Sequence, residues 1–502
     1  MTAKEKAAIM QTIQETVVKQ ERPIKVLQFG EGNFLRAFVD WIIDQINENS
    51  DFNGDVMMVQ PLAQGMGKMI NDQNGLYTTV LRGVQNGKPV EEFRKITSVR
   101  GCINPYSEYD AYISQAANPD LRFIVSNTTE AGISYHAGDK LEDKPQVSFP
   151  GKVCAFLYER FKAFAGAADK GIIFIPCELI DKNGDNLKRI VLQYAAEWNL
   201  PAEFTAWVNE ACDFCNSLVD RIVPGYPRAE AEDICNRLGY KDNLLDAAEI
   251  FLLWVIECHG KTHEDELPTD KAGVNVIWTD DMSFYRTRKV RILNGAHTMT
   301  VLAAHQAGLN TVEECIKSPL IYPMMEKGLF EEIIPSMDGD KDQLVQYAKD
   351  VLERFANPYI VHLLMSISLN SVSKFKTRDL PSLLGYIQKK GELPSVLTFA
   401  LAALISFYEG KITEDGTALI GNRNGEEYRI QDSPEVLKKF DELYSASYKC
   451  NGCKSAALAK GILSESAWWG QDLTAVEGLE ERIAACLKSI WDNGIEETIK
   501  NL

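Results

Sequence analysis

The sequence predicts an α/β N-terminal domain with a mostly parallel sheet, followed by a mainly α-helical C-terminal domain. Over the first half of the chain, apolar strand-like segments alternate with amphipathic helical segments, as in sheets covered by helices on both faces. From about residue 278 onward, the apolar residues mostly follow helical spacing. The 502 residues also exceed the size at which a single core keeps growing. We therefore expect two domains, at residues 1–277 and 278–502.

The composition is that of a folded protein, with 45% hydrophobic and 25% charged residues. A net charge of -18 argues against nucleic acid or an anionic membrane as the main partner. The first residues lack the pattern of a targeting signal, and no apolar run approaches the roughly 20 residues of a membrane helix. A cytoplasmic protein is the simplest expectation.

The first strand is expected at residues 24–30, and it runs through Glu31-Gly32-Asn33 into a helix from Phe34 to about Asn47. This order is the start of a Rossmann-like, dinucleotide-binding unit. Gly30, Gly32, Asn33 and Phe34 are the cofactor-binding residues expected at this turn. Gly30 allows a tight turn, and Gly32 lets backbone amides approach a pyrophosphate. Leu35 stands at the third glycine position of the usual pattern, and an ordinary strand-to-helix turn has the same appearance.

Further buried strands are expected at residues 55–60, 121–126 and 171–176, with helices at 106–117, 152–165 and 186–198. Ligands of such sheets bind beyond the carboxyl ends of the strands. Several residues at or just beyond the carboxyl ends of these strands are therefore expected to border the cofactor site. They are Gln60, Asn127, Thr128, Glu130 and the pair Cys177-Glu178. Gln60 and the following proline do not indicate whether NAD or NADP binds, because neither is an acid or an arginine. Residues 77–103, with an Asn-Gly turn at 86–87, are expected to form an antiparallel insertion.

After residue 201 the expected elements are mainly helical. A helix is expected at 204–216, and residues 250–258 fit a strand or a helix. Later helices are expected at 289–307, 343–355, 358–373, 380–390, 394–408, 433–444 and 478–490.

Three pairs have spacings that metal sites use, namely Cys212/Cys215, Cys450/Cys453 and His259/His263. The two cysteine pairs are far apart in the chain, and Gly260 interrupts a helix between the histidines. The eleven cysteines are an odd number, which suits free thiols in a reducing compartment. We expect no bound metal.

Lys289, Asn294 and His297 form a chemically suggestive series. With about 100° and 1.5 Å per residue, an α-helix places Asn294 and His297 on one face, one turn apart. Oxidising a secondary alcohol requires a group that moves the hydroxyl proton, donors to the oxygen, and a neighbour that fixes orientation. These side chains can fill those roles, although an ordinary amphipathic helix has the same spacing.

The chain resembles the mannitol dehydrogenase family, the polyol-specific long-chain dehydrogenases and reductases, over nearly its whole length. The resemblance depends on Lys289, Asn294 and His297 together with residues 28–41, 128–132, 183–184 and 216–221. Residues 28–41 and 366–374 are most similar to members that act on sugar acids. The resemblance implies NAD-linked interconversion of D-altronate and D-tagaturonate in hexuronate catabolism. It also implies a zinc-independent enzyme with a small-molecule substrate and no obligatory protein partner.

The resemblance also implies roles for individual residues. Lys289 is expected to be the acid/base, Asn294 a donor to the reacting oxygen, and His297 a partner for a neighbouring hydroxyl. Asp220 and Lys374 are expected to contact the substrate. Close to Lys374, Lys376 and Arg378 fit a carboxylate clamp or a solvated turn equally well.

Two substitutions depart from the mannitol pattern. Leu179 stands where a second oxygen donor is expected, and Ser366 stands where an arginine is expected. Both point to a substrate other than mannitol. Mannonate/fructuronate oxidoreduction and polyol 2-dehydrogenation remain open, as does a non-catalytic NAD sensor. A methyltransferase on a similar sheet is disfavoured by the two-glycine turn and the helical second half.

Overall fold

The computed structural model describes residues 10–129, 131–449 and 453–502, and it divides into two compact units. The first unit comprises Met1–Gly83 and Val90–Met282, and the second comprises Val84–Pro89 and Ser283–Leu502. Each unit has its own buried core.

The strands between residues 24 and 279 are β1 (Ile24–Phe29), β2 (Asp55–Val59), β3 (Tyr77–Gln85), β4 (Lys88–Ile96), β5 (Val99–Ile103), β6 (Phe123–Ser126), β7 (Ile173–Pro176), β8 (Asp213–Phe214), β9 (Asn216–Asp220), β10 (Asp246–Glu249), β11 (Leu253–Glu257) and β12 (Val276–Thr279). The α-helices of the first unit are α1 (Asn33–Ala37), α2 (Val39–Asn49), α3 (Gly67–Asp72), α4 (Tyr109–Ser114), α5 (Phe149–Ala163), α6 (Asn183–Glu197), α7 (Ala202–Ala211) and α8 (Ala231–Leu238). Short 3-10 turns lie at Ile13–Glu15, Gln115–Ala117 and Ala168–Lys170.

The main sheet of the first unit has six strands in the order β5-β2-β1-β6-β7-β8, and every neighbouring pair is parallel. The predicted parallel α/β sheet is thereby confirmed. Its central strands are almost continuously apolar because helices cover both faces. Burying each large apolar side chain there contributes about 1.5–3 kcal/mol. The chain leaves β1 for β2 on one side and returns to β6 on the other, so a crevice opens beyond the ends of β1 and β6.

Several local predictions in this unit are wrong. Residues 99–103 are not part of an antiparallel insertion, because β5 pairs in parallel with β2. The predicted turn is present, since Asn86 and Gly87 both have positive φ angles between β3 and β4. The single helix expected after Gly32 is two helices, since the backbone of Phe38 (φ -120°, ψ -79°) leaves helical geometry between α1 and α2.

The region after residue 201 contains more strand than predicted. The helix expected at 204–216 ends at Ala211, and the next residues join the sheets as β8 and β9. The antiparallel pair β9–β11 and the strand β12 form one small sheet, and β10, β3 and β4 form another. Valine, isoleucine and tryptophan dominate β11, and such residues pack well on a pleated surface, so tertiary pairing overrides the helical pattern.

The second unit is mainly helical, as predicted. Its helices are α9 (Ser283–Arg288), α10 (Gly295–Gln306), α11 (Val312–Lys317), α12 (Ile321–Lys327), α13 (Ile334–Ser336), α14 (Lys341–Phe355), α15 (Leu364–Ile367), α16 (Ser371–Arg378), α17 (Leu380–Lys390), α18 (Ser395–Phe407), α19 (Pro434–Ser447), α20 (Lys454–Leu463), α21 (Ser466–Trp469), α22 (Leu479–Asn493) and α23 (Ile495–Lys500). Two π-helical segments, Lys289–Asn294 and Gly328–Ile333, lie within this series. A 3-10 turn lies at Leu473–Ala475.

Two features of the second unit depart from prediction. The helix expected at 358–373 is two short helices, α15 and α16, with Asn370 in a left-handed conformation between them. A small antiparallel sheet of β13 (Lys411–Ile412), β14 (Leu419–Arg423) and β15 (Glu426–Ile430) was not foreseen.

The cysteines follow the free-thiol prediction with one exception. Nine of them are buried free thiols. Cys453 is disulfide-bonded, which corrects the prediction for that residue, and Cys450 lies outside the described residues. Within the described ranges, none of the helices combines the length and apolarity that crossing a membrane requires.

Candidate cofactor and substrate sites

The turn after β1 has the geometry that its glycines predict. Gly30 has φ of 122°, and a Cβ there would lie 3.0 Å from the carbonyl oxygen of Asn127. Its amide donates to the carbonyl of Val59 at 3.1 Å, which ties the turn to β2. At Gly32, by contrast, a Cβ would meet no heavy atom within 4 Å. Gly30 is thus required by the fold, whereas Gly32 faces open space.

The loop after β6 is held by a buried carboxylate. Glu178 Oε1 accepts hydrogen bonds from the amide and the hydroxyl of Thr128, each at 2.9 Å, and Oε2 accepts from the hydroxyl of Ser126 at 3.0 Å. Glu178 is 2% exposed, and burial raises its pKa. Leu179, beside it, is 63% exposed. The Cys-Glu-Leu run therefore uses its acid to fix the loop and does not place a polar group at 179.

A cavity of about 500 Å³ lies beyond the ends of β1 and β6. It is lined by Gly30, Gly32, Asn127 and Thr128 from the predicted set, and by Glu31, Pro61, Leu62, Gln64, Thr129, Ala131, Gly132, Ser134, Tyr135, His136, Val147, Ser148 and Phe149. The position is the crevice in which doubly wound sheets bind dinucleotides. The cavity and the open face of Gly32 fit a cofactor of that class.

The remaining predicted cofactor residues behave differently. Gln60 is buried and serves the following loop, with its amide nitrogen donating to Leu62 and its oxygen accepting from Gly67. Asn33 accepts a hydrogen bond from Arg36, and Phe34 stacks on Phe38. None of the three lines the cavity, and Glu130 lies outside the described residues.

Tyr135, His136 and Phe149 line the cavity but were not foreseen. Tyr135 and His136 lie in residues 131–148, which form little regular structure and show no apolar periodicity from which their position could be predicted. Phe149 is the first residue of α5. Asp220, predicted to contact the substrate, is the last residue of β9 and is buried opposite Leu253.

The segment that carries the predicted catalytic residues is a π-helix followed by an α-helix. Lys289–Asn294 is π-helical, and the amide of Gly295 bonds to the carbonyl of Val290. In this i→i+5 register, Asn294 lies about one turn above Lys289. The α-helical geometry expected for 289–294 is therefore wrong, whereas α10 begins at Gly295 in ordinary α geometry. Lys289 and Asn294 are half-buried.

His297 is buried in an aromatic and cationic environment. Its ring stacks on Phe355 at 4.2 Å between centroids, and the ring of His362 meets it edge-on at 5.1 Å. Burial lowers its pKa well below the ordinary value, and His362 and nearby cations add to the effect. Its Nε2 has no hydrogen-bond partner among the described residues. A neutral imidazole with an unused nitrogen can serve a substrate hydroxyl.

The cations that act on His297 are Arg378, Arg354 and Lys374. Lys374 donates to the carbonyl of Ile367 at 2.7 Å, and burial lowers its pKa. Arg378 donates to the hydroxyl of Thr298 at 3.1 Å. The structure thus places Lys374 and Arg378, both from α16, beside the His297 environment. The positions of Arg354 and His362 beside His297 were not predicted from the sequence. Both residues lie in segments predicted only as helices.

A buried carboxyl packs against the same helix. Asp379 is fully buried, and neither of its oxygens has a hydrogen-bond partner among the described residues. Burial raises its pKa well above the ordinary value, against the opposing effects of Arg378 and Arg291. A Cβ on Gly295 would lie 2.8 Å from Asp379 Oδ1, so Gly295 makes this close approach possible.

A dinucleotide crevice in a Rossmann-like unit and a helical unit that carries lysine, asparagine and histidine are the parts of a nicotinamide-dependent oxidoreductase. Two family models match the chain, the mannitol dehydrogenase Rossmann domain over residues 24–269 and the mannitol dehydrogenase C-terminal domain over residues 281–491. The chain belongs to the mannitol dehydrogenase family, and it is an NAD-dependent oxidoreductase, as predicted.

Curated relatives and solved structures agree with this membership. The altronate oxidoreductase of Enterobacter sp. (strain 638) is 49% identical over 481 residues, covering 96% of this chain and 97% of that protein. The altronate oxidoreductase of Escherichia coli O6:K15:H31 (strain 536 / UPEC) gives the same values.

Two solved structures share the fold. A substrate-free D-sorbitol dehydrogenase has a TM-score of 0.77 at 21% identity, covering 98% of this chain and all of that one. The Pseudomonas fluorescens mannitol 2-dehydrogenase, solved with NAD and D-mannitol, has a TM-score of 0.65 at 22% identity, covering 96% of this chain and 94% of that one.

Proposed function

We propose that this protein interconverts D-altronate and D-tagaturonate with NAD, in the cytoplasm, as a step of hexuronate catabolism. The relatives at 49% identity are altronate oxidoreductases, which supports this substrate. The proposal keeps residues 1–277 as the NAD-binding domain and residues 278–502 as the substrate and catalytic domain. It requires a small-molecule substrate and no nucleic acid, membrane or obligatory protein partner.

The cations around His297 are the observation that favours an anionic substrate over a neutral one. In a chain of net charge -18, Arg354, Lys374 and Arg378 all act on one buried imidazole. Such a group attracts a carboxylate and holds it through charge-assisted hydrogen bonds. A neutral polyol gains nothing comparable from it.

The remaining side chains divide the chemistry of alcohol oxidation. Lys289 takes the hydroxyl proton, and in the reverse direction it returns that proton to the ketone oxygen. The amide of Asn294 donates to the same oxygen and stabilises the charge that develops on it. His297, neutral in its buried position, offers Nε2 to an adjacent hydroxyl. Bound NAD supplies the hydride acceptor.

A substrate panel tests the proposal. Purified protein is given D-tagaturonate, D-fructuronate or D-fructose, and the loss of NADH absorbance is followed, with NADPH in parallel. We expect tagaturonate to have the highest kcat/KM with NADH. It should exceed fructose at least about tenfold, because a hydrogen bond to a charged group is worth about 1.5–3 kcal/mol.

Each other outcome identifies an alternative. Faster turnover of fructuronate would assign the epimeric activity, and equal turnover of fructose would assign a polyol 2-dehydrogenase. NADH binding without turnover of any of the three would indicate a sensor.

A further inference from the structure

Two of the pairs with metal-site spacing meet at one edge of the first unit. Asp213 belongs to β8, and Cys215 links β8 to β9. In the β9–β11 ladder Asn216 pairs with Glu257, so the residues after β11 lie beside those before β9. His259 and His263 follow β11 directly. No spacing or motif in the sequence links the cysteine pair at 212/215 to the histidine pair at 259/263.

The polar atoms of this cluster face one another. Asp213 Oδ2 lies 2.8 Å from His263 Nε2, and Asp213 Oδ1 lies 3.0 Å from His259 Nδ1. Cys215 Sγ lies 3.7 Å from Asp213 Oδ2. One ligand atom each from Asp213, Cys215 and His263 lie within 4.8 Å of one another. Donor atoms around a tetrahedral zinc ion are about 3.3–3.6 Å apart, so small side-chain rotations convert this cluster into a coordination shell.

Two of the side chains in this cluster are buried among their neighbours. Cys215 is fully buried and His263 is 5% exposed. The second ring nitrogen of His263, Nδ1, has no hydrogen-bond partner among the described residues and lies 4.0 Å from Glu266 Oε1. Metal-bound histidines commonly direct their second nitrogen at a carboxylate, and Arg122 holds Glu266 in place here. The ring of Trp278 packs edge-on against His263.

The chemistry of the donors selects the ion. Ion pairing accounts for Asp213 and the two histidines, and the Cys215 thiol adds only a long hydrogen bond, 3.7 Å from its sulfur to Asp213 Oδ2. Thiol and imidazole together favour zinc or cobalt over magnesium or calcium, which prefer oxygen. None of the four residues lines the dinucleotide cavity. We propose that Asp213, Cys215 and His263, with His259 as the fourth donor, form a structural zinc site that clips the 258–275 loop to the edge of the sheet.

Cobalt substitution tests the site. The full-length protein is treated with a chelator, the chelator is removed, and Co²⁺ is added. We expect one equivalent to bind, with visible bands of four-coordinate cobalt and a near-ultraviolet thiolate-to-cobalt band, and Zn²⁺ to displace it. Zn²⁺ should also raise the Tm of the stripped protein.

Matched variants locate the ligands. Cys215→Ser should abolish the thiolate band and weaken binding at least about tenfold, whereas Cys212→Ser, at the other buried thiol of the pair, should retain both. His263→Gln serves as a second variant if Cys215→Ser does not fold, and it should lose four-coordinate binding. Circular dichroism and turnover with NADH report that each variant is folded.

The proposal is overturned if cobalt gives only the weak bands of a six-coordinate ion, or if Cys215→Ser and wild type give the same spectrum. Turnover with NADH does not depend on these four residues, so failure here leaves the proposed activity standing.

Discussion

Lys374 is the residue whose substitution most directly tests how the substrate carboxylate is held. Its ammonium lies beside the His297 environment and already donates to a backbone carbonyl, so it is oriented before any ligand arrives. We expect Lys374→Ala to raise KM for the uronate about 10- to 100-fold and to leave KM for NADH within about twofold, since a charged hydrogen bond is worth about 1.5–3 kcal/mol.

Lys376→Ala is the matched control, because Lys376 lies on the same helix, α16, two residues further on. It should leave both constants near wild type. Equal effects of the two substitutions, or a Lys374 effect on NADH alone, would remove Lys374 from the substrate site.

At the scale of elements, the two glycines of the turn between β1 and α1 have different roles. Gly30 is needed for folding, whereas Gly32 faces the open space of the cavity. Gly30→Ala forces a side chain into φ of 122° and against the carbonyl of Asn127, a strain of about 1–3 kcal/mol. We expect it to lower the Tm and to weaken NAD binding. Gly32→Ala meets no neighbouring atom, so it should keep the Tm and raise the Kd for NAD.

Thermal unfolding and titration of NADH fluorescence measure the two quantities. If Gly32→Ala leaves the Kd for NAD unchanged, the cofactor does not approach that backbone, and the predicted role of Gly32 is wrong.

The same elements show what sequence pattern can predict. The order strand, Gly-x-Gly, helix placed Gly30, Gly32, Asn127 and Thr128 at one cavity, because parallel strands end at a common edge. Gln60 does not line that cavity, because its amide bonds to a loop whose conformation no periodicity encodes. Cavity-lining side chains from irregular segments, such as Tyr135 and His136, depend on tertiary packing and have no local signal in the sequence.

The helical unit was predicted by the same kind of pattern, and the helix expected at 358–373 is wrong for a different reason. Residues 358–373 have apolar spacing compatible with one helix, yet Asn370 adopts φ of 55° and starts a new one. Asparagine tolerates this conformation, but nothing in the pattern requires it. The break separates Ile367 from Lys374, and it allows the lysine to bond back to the end of α15.

For the molecule as a whole, buried histidines with lowered pKa values should make the second unit sensitive to mild acid, and His305 is the one to test because it lies away from the His297 environment. His305 is buried, with Nδ1 3.1 Å from Nη1 of Arg423, and burial together with this cation lowers its pKa to about 4. The unfolded chain has the ordinary value of 6.5. Between these values only the unfolded state binds the proton, so stability rises with pH across the window and falls as pH drops from 6.5 toward 4.

Urea unfolding at pH 7 and at pH 5 measures this contribution. We expect His305→Gln to reduce the loss of stability between the two pH values by about 1 kcal/mol after allowance for solvent screening. An unchanged loss in His305→Gln would show that the acid sensitivity has another source.

The π-helix at Lys289–Asn294 has a consequence for how related chains can vary in length. A π segment closes each backbone hydrogen bond over one more residue than an α-helix does, and it thereby accommodates one extra residue. Deleting one residue between 289 and 294 would let the segment revert to α geometry, in which four steps of about 100° replace five π-helical steps that make about one turn, so His297 would turn by only about 40° relative to Lys289. The interval from Lys289 to His297 should therefore tolerate the loss of one residue within 289–294 better than the insertion of one α-helical residue after Asn294, which would turn His297 by about 100°.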